Sequence, residues 1–226
     1  RQQGLLGTDF LKHSLYTIDY AQNQLHRANA GAFCSAEQLE HAGFAALDSK
    51  GYFASRDDQL LSMQVLKPLN GAGGTVPNIP TIEVRIGSVI ARAQIDTGFD
   101  DAQTRFSVNI NLGFKKALEA TGIQLVSTGE NSLTLSTCVQ GTFDTVQSFQ
   151  LPSGQSFQLL GSDRSVVREY PTATLMLKTT QPAAYRCGGI STFGVPAAQF
   201  GASFMIDAGA IALDPSSGRV WLPKRQ

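Results

Sequence analysis

Thr81-Ile82-Glu83-Val84-Arg85-Ile86 alternates apolar and polar side chains, Gly87-Ser88 turns the chain, and residues 89–95 run back into Asp96-Thr97-Gly98. A period of two marks a half-buried strand. A hairpin whose second arm ends on an Asp turn is therefore the unit around which the rest must fold. Further strand-like stretches lie at 132–139, 143–151, 155–160, 165–167 and 173–178, with Pro152-Ser153-Gly154 as a turn between two of them. Residues 210–213 and 219–222 form a closing pair around Asp214-Pro215-Ser216-Ser217-Gly218. Helical signals are fewer. Residues 112–120 are stopped by Gly122, a short helix within 34–44 has Ser35 as N-cap and Gln38 at the capping-box position, and a helical patch surrounds 196–205. The class is mostly β with a few short helices.

Ahead of the hairpin, residues 1–27 read as a helical turn, a strand through Leu15-Tyr16-Thr17-Ile18 and a turn at Asp19-Tyr20-Ala21-Gln22-Asn23. Periodicity is lost between 48 and 80, and Asn70-Gly71-Ala72-Gly73-Gly74-Thr75 with Pro77 and Pro80 reads as a flexible connection. Its glycines lack a following Lys-Ser/Thr and a preceding strand, which argues against a phosphate-binding loop. The division that results is 1–27, then 28–78 as a helical segment and linker, then 79–226.

Eighteen Lys and Arg balance eighteen Asp and Glu in the 226 residues, so no net field draws in nucleic acid or an anionic membrane. No apolar run reaches the roughly 20 residues that span a bilayer. The start, Arg1-Gln2-Gln3-Gly4, is neither a signal peptide nor an initiator Met, and reads as the beginning of a processed product or of a piece of something longer. Cys34, Cys138 and Cys187 show no metal-type spacing, so no structural metal is expected. A Cys138–Cys187 disulfide fits an oxidising, extracytoplasmic compartment; three buried thiols in a reducing one is the alternative. His13, His26 and His41 all precede the linker and no Gly-x-Ser-x-Gly elbow occurs, which leaves no support for a serine nucleophile, Ser191 included.

At Ala93-Gln94-Ile95-Asp96-Thr97-Gly98-Phe99-Asp100-Asp101 an apolar strand delivers a carboxylate into a turn that Gly98 keeps tight. With the hairpin before it and the acidic pair behind it, this segment resembles the catalytic loop of retropepsin-like and pepsin-like aspartic peptidases. A second family mark is an apolar-apolar-Gly segment opening a short helix, followed by a strand, an Asp turn and a last strand. Gln199-Phe200-Gly201-Ala202-Ser203-Phe204-Met205, Ile211-Ala212-Leu213-Asp214 and Gly218-Arg219-Val220-Trp221-Leu222 resemble it. So do Leu5-Leu6-Gly7-Thr8-Asp9-Phe10-Leu11, Tyr16-Thr17-Ile18-Asp19-Tyr20 and Gln24-Leu25. Leu159-Leu160-Gly161 is a rival for the closing role, ranked second.

The resemblance implies a β-barrel lobe over 79–226 and, in 1–27, the closing remnant of a first, truncated lobe. It also implies Asp96, Thr97 and Gly98 as the catalytic triplet, Asp100 and Asp101 as residues that fix the loop and meet substrate backbone, and no cofactor. Phe99 is bulkier than the Ala or Ser usual there. Such chemistry needs two carboxylates that share a proton. The second is expected from a missing first lobe or from Asp96 of another copy, since only 17 residues follow Asp207-Ala208-Gly209, too few for a lobe of several strands, and Asp207 reads as a turn residue. The expected activity is peptide-bond hydrolysis, with this chain alone inactive. The alternative is an inactive lobe that serves as a peptide-binding or inhibitory module.

Overall fold

The hairpin forms as its alternation demands. In the structure, a computed structural model, β4 (Thr81–Ile86) pairs with β5 (Val89–Asp96) in antiparallel register from Ile86 opposite Val89 to Thr81 opposite Gln94. Ile82, Val84 and Ile86 are fully buried, while Thr81, Glu83 and Arg85 are half-buried. Gly87 turns the chain at φ +57°, a backbone angle that favours glycine, and a Cβ there would need the Ile123 Cδ1 methyl, 2.5 Å away, to move aside. The structure describes residues 8–11, 13–29, 33–49, 80–99, 104–128, 133–136, 141, 143–179, 190–192 and 195–225.

Around this hairpin the protein is mostly β, in two sheets. The larger has the order β11-β10-β4-β5-β13-β6-β12-β9-β7, with β8 paired to β9. Its remaining strands are β6 (Ser107–Asn111), β7 (Val126–Ser127), β8 (Leu133–Ser136), β9 (Phe143–Gln150), β10 (Phe157–Leu160), β11 (Val166–Tyr170), β12 (Thr174–Lys178) and β13 (Ala197–Gly201). Two pairs at its centre are parallel, β13 with β5 and β12 with β6, while β13 and β6 are antiparallel. The smaller sheet has the order β2-β1-β14-β15-β3, from β1 (Leu15–Asp19), β2 (Gln24–Ala28), β3 (Phe44–Asp48), β14 (Ala210–Asp214) and β15 (Arg219–Pro223). One continuous core joins the sheets, from Leu47, Leu213 and Val220 to Ile95, Val108 and Phe200.

Four helices are described: α1 (Thr8–Leu11), α2 (Ala36–His41), α3 (Leu112–Ala120) and α4 (Ala202–Ala208). α2 has the expected capping box, Gln38 N–H donating to Ser35 Oγ at 3.2 Å and Ser35 N–H to Gln38 Oε1 at 2.8 Å. α3 buries Phe114 and Leu118 and is capped by Asn111, whose Oδ1 accepts from Phe114 N–H at 2.9 Å. Beneath β13, Phe204 gathers Tyr170, Phe106, Phe200 and Phe157 at centroid distances of 4.6, 5.2, 5.2 and 5.7 Å.

Four elements differ from the sequence expectation. Residues 197–201, expected in a helical patch, form β13, and the helix begins only after Gly201. The stretch carries alanines that suit a helix, but its backbone is taken by ladders on both sides and tertiary pairing outweighs propensity. Within the supposed helical segment and linker, Phe44–Asp48 is β3, paired with β15 along its whole length. β6 carries no strand signal of its own: Ser107, Asn109 and Asn111 interrupt the apolar pattern, yet all five of its residues are buried. Asp207 is not a turn residue; it lies in α4 and pairs with Arg105 Nη2 at 3.1 Å and Arg168 Nη1 at 3.6 Å. The glycine-rich stretch at 70–75 lies outside the described residues, as do Cys138 and Cys187. Cys34 is an exposed free thiol.

Candidate functional site

β5 ends on Asp96, and the strand places its two last residues differently. Ile95 points into the core at 4% exposure, Asp96 is half-buried, and Thr97 and Gly98 form an exposed tip. The turn is closed by Phe99 N–H donating to Asp96 O at 3.1 Å and by Gly98 N–H donating to Asp96 Oδ1 at 3.0 Å. An Asp side chain that caps its own turn in this way is held in one orientation.

Parallel register sets Gly201 of β13 opposite Asp96. The Asp96 loop then lies directly on the glycine, and Ala202 N–H donates to Phe99 O at 2.8 Å. Of the two apolar-apolar-Gly segments, Phe200-Gly201 is therefore the one beside Asp96. Leu159-Leu160-Gly161 ends β10, which pairs with β4 and β11 on the far side of the hairpin.

Asp96 has a further partner that the motif alone does not reveal. Gln199, two residues before Gly201 on the same face of β13, donates from Nε2 to Asp96 Oδ2 at 2.8 Å. Asn109, its register partner on β6, donates from Nδ2 to Gln199 Oε1 at 3.0 Å. Both carboxylate oxygens thus accept from a neutral N–H. Among the described residues no other carboxylate hydrogen-bonds to Asp96. Asp100 and Asp101 lie outside the described residues.

His13, in a turn, His26, on β2, and His41, at the end of α2, are all exposed, and Ser191 belongs to a 3₁₀ turn over Ile190–Thr192. No group of three or more His, Cys, Asp or Glu suited to a metal ion gathers among the described residues. None of their helices is long and apolar enough to cross a membrane. A separate cleft of about 150 Å³ is lined by Asp48, Glu83, Arg92, Ser162 and Arg164 among others. Two acids offset two arginines there, and Glu83 is already held by Arg164 at 3.0 and 3.4 Å. A second charge cluster among the described residues is Arg168 with Asp207. Tyr170 lies near it, its phenol pushed upward first by burial and then by the negative charge of Asp207.

No protein-family model matches this chain, and no curated protein matches it.

Proposed function

We propose that this chain is a lobe of the aspartic-peptidase type, carrying Asp96 as one of the two carboxylates that activate water for peptide-bond hydrolysis. The observation that carries the reading is the seat of Asp96: a half-buried carboxylate at a strand end, fixed through both oxygens and packed on Gly201 across a parallel ladder. In this chemistry the ionised carboxylate takes a proton from the bridging water while the protonated one donates to the substrate carbonyl. Thr97 and Gly98, at the exposed tip, stand where a matching loop would approach. Asp100 and Asp101 are assigned to substrate backbone by resemblance alone.

The partner carboxylate comes from an upstream first lobe or from a second copy. The upstream source is favoured by β1 and β2, which continue the smaller sheet beyond β14 as the remnant of a first lobe would. A second reading, an inactive module that binds peptide or inhibits, is favoured by one observation: the partners of Asp96 are amides, and no second carboxylate reaches it among the described residues.

The test is peptide hydrolysis across pH by this chain, by the protein completed with its upstream lobe, and by the completed Asp96→Asn variant. The expected outcome is an inactive single chain and acid-favoured cleavage by the completed protein. Asn at 96 abolishes cleavage because an amide can neither take the water's proton nor share one. Cleavage that survives Asp96→Asn defeats the mechanism; a folded, completed protein that cleaves nothing favours the binding module.

A further inference from the structure

We propose that the polar cleft where the two sheets meet is a binding site for a small zwitterion, an α-amino acid whose carboxylate pairs with Arg92 and whose ammonium pairs with Asp48. The site stands apart from Asp96 and does not rest on the peptidase reading. Its walls are the end of β3 with Asp48, the half-buried face of the β4–β5 hairpin with Glu83 and Arg92, and the turn from β10 to β11 with Ser162 and Arg164. Ser162 N–H donates to Ala46 O at 2.9 Å, which ties that turn to β3 and holds the walls together.

The four charged groups are not paired alike. Glu83 is bound by Arg164 through Nε at 3.0 Å and Nη2 at 3.4 Å, a closed pair. Arg92 stands opposite Glu83 in the β4–β5 ladder, yet among the described residues its guanidinium has no hydrogen bond or ion pair, and its Nη1 is buried. Asp48 has one partner there, the Ser162 hydroxyl, which donates to Oδ1 at 2.8 Å. A buried guanidinium donor without an acceptor is costly, and at a cleft wall it calls for a partner from outside the chain. Burial lowers the pKa of Arg92, and the charges of Glu83 and Asp48 oppose that shift without cancelling it. One unpaired cation and one half-paired carboxylate thus line the same space without meeting. An anion alone would suit Arg92 but be repelled by Asp48, and a cation alone would meet the reverse. A molecule with both charges satisfies both walls and leaves the cleft neutral. The guanidinium fork matches a carboxylate through two parallel bonds, and the second Asp48 oxygen can accept from an ammonium. The volume of about 150 Å³ equals roughly five water volumes, room for a ligand the size of glycine or alanine.

The experiment titrates glycine, alanine, acetate and methylammonium separately into this chain at neutral pH and constant ionic strength. NMR follows the backbone amides of Arg92, Gly161 and Ser162 and the Arg92 Nε–H. Glycine and alanine are expected to shift them saturably with a Kd of about 1 mM, within reach of so few heavy atoms, and acetate and methylammonium to bind at least about tenfold more weakly. Arg92→Met, whose expected cost in stability is small, and Asp48→Asn, which can keep the Ser162 bond, should each weaken glycine binding about tenfold or more. Emission from Trp221 checks that each variant is folded; should Asp48→Asn unfold, Arg92→Met alone decides. Shifts that do not saturate with either amino acid overturn the proposal and leave the cleft to water. Acetate that binds as tightly as glycine overturns it in favour of a simple anion at Arg92. A folded Arg92→Met that binds glycine as the wild type does overturns it as well.

Discussion

A methyl group at Gly201 would sit 1.7 Å from the Phe99 carbonyl oxygen and 2.6 Å from its carbon. The backbone there is extended, so it is the nearness of the loop that requires glycine. Gly201→Ala must push the Asp96 loop off β13 and is expected to cost about 3 kcal/mol, read from a denaturant midpoint. The same variant should lose the Ala202 N–H to Phe99 O bond in an exchange experiment. Two arginines give a sharper comparison. Arg168 is 6% exposed and donates to Pro223 O at 2.7 and 3.1 Å and to Ala208 O at 3.5 Å, beside Asp207. The Arg92 guanidinium makes no hydrogen bond or ion pair among the described residues, its Nη1 is buried, and burial pulls it below the usual arginine range against the opposing charges of Glu83 and Asp48. Arg168→Met should therefore cost about 3 kcal/mol by removing the donors to two carbonyls and one of the two arginines beside Asp207, which keeps Arg105 at 3.1 Å, whereas Arg92→Met should cost less than about 0.5 kcal/mol. Equal losses in urea titrations would refute this account of both residues. Asp96 was legible in the sequence because its turn is local, an apolar strand running into Asp-Thr-Gly. Gln199 and Asn109 were not, because their roles come from registers between strands far apart in the chain, and neither strand's own sequence records the other.

Elements with a local cause are legible in the sequence: the β4–β5 hairpin from its alternation, α2 from its capping box, α3 from its Gly122 stop. Those that exist only through partners are not. β6 hides its burial behind Ser107, Asn109 and Asn111, and Asn111 is buried because it serves several hydrogen bonds, including Ala197 N–H at 3.0 Å and Val195 O at 2.8 Å. The turn from β10 to β11 offers a test at this scale. Asp163 Oδ1 accepts from Ser165 Oγ at 2.6 Å and from Ser165 N–H at 2.9 Å, and these bonds, the hydroxyl first, hold its carboxyl below the ordinary value of 3.8. A depressed folded value means that the turn's contribution is present above 3.8 and is lost as pH falls through the folded midpoint. Ser165→Ala removes the larger cause. The Asp163 midpoint should move up towards 3.8 when followed by NMR, with the β10–β11 turn less sensitive to acid than in the wild type. A midpoint that stays in place would mean the backbone bond alone sets it.

At the scale of the molecule, the five-stranded sheet ties distant parts of the chain into one body. β1 lies between β2 and β14, with Tyr16 opposite Leu213 and Asp19 opposite Ala210, and β15 runs on to β3. Leu15 and Tyr16 are each 2% exposed, so the first strand is part of the fold's interior although β2 outside it is almost wholly exposed. Removing residues 1–28 would uncover that interior and leave the N–H and C=O groups of β14 unpaired along an open edge. Burial of Leu15 and Tyr16 at about 25 cal/mol per Å², with the lost ladder added, puts the expected loss at about 5 kcal/mol. The chain's single tryptophan reports on it directly. Trp221 is 1% exposed on β15, where it packs with Leu39 of α2 and Ala212 of β14, in the same sheet but not against β1 itself. If the sheet is cooperative, the shortened chain should show red-shifted Trp221 emission, unfold at a clearly lower denaturant concentration and associate through its new edge in sedimentation. Should it stay monomeric with unshifted emission and an unchanged midpoint, β1 is an appendage, and the case for 1–27 as a remnant built into this lobe falls with it.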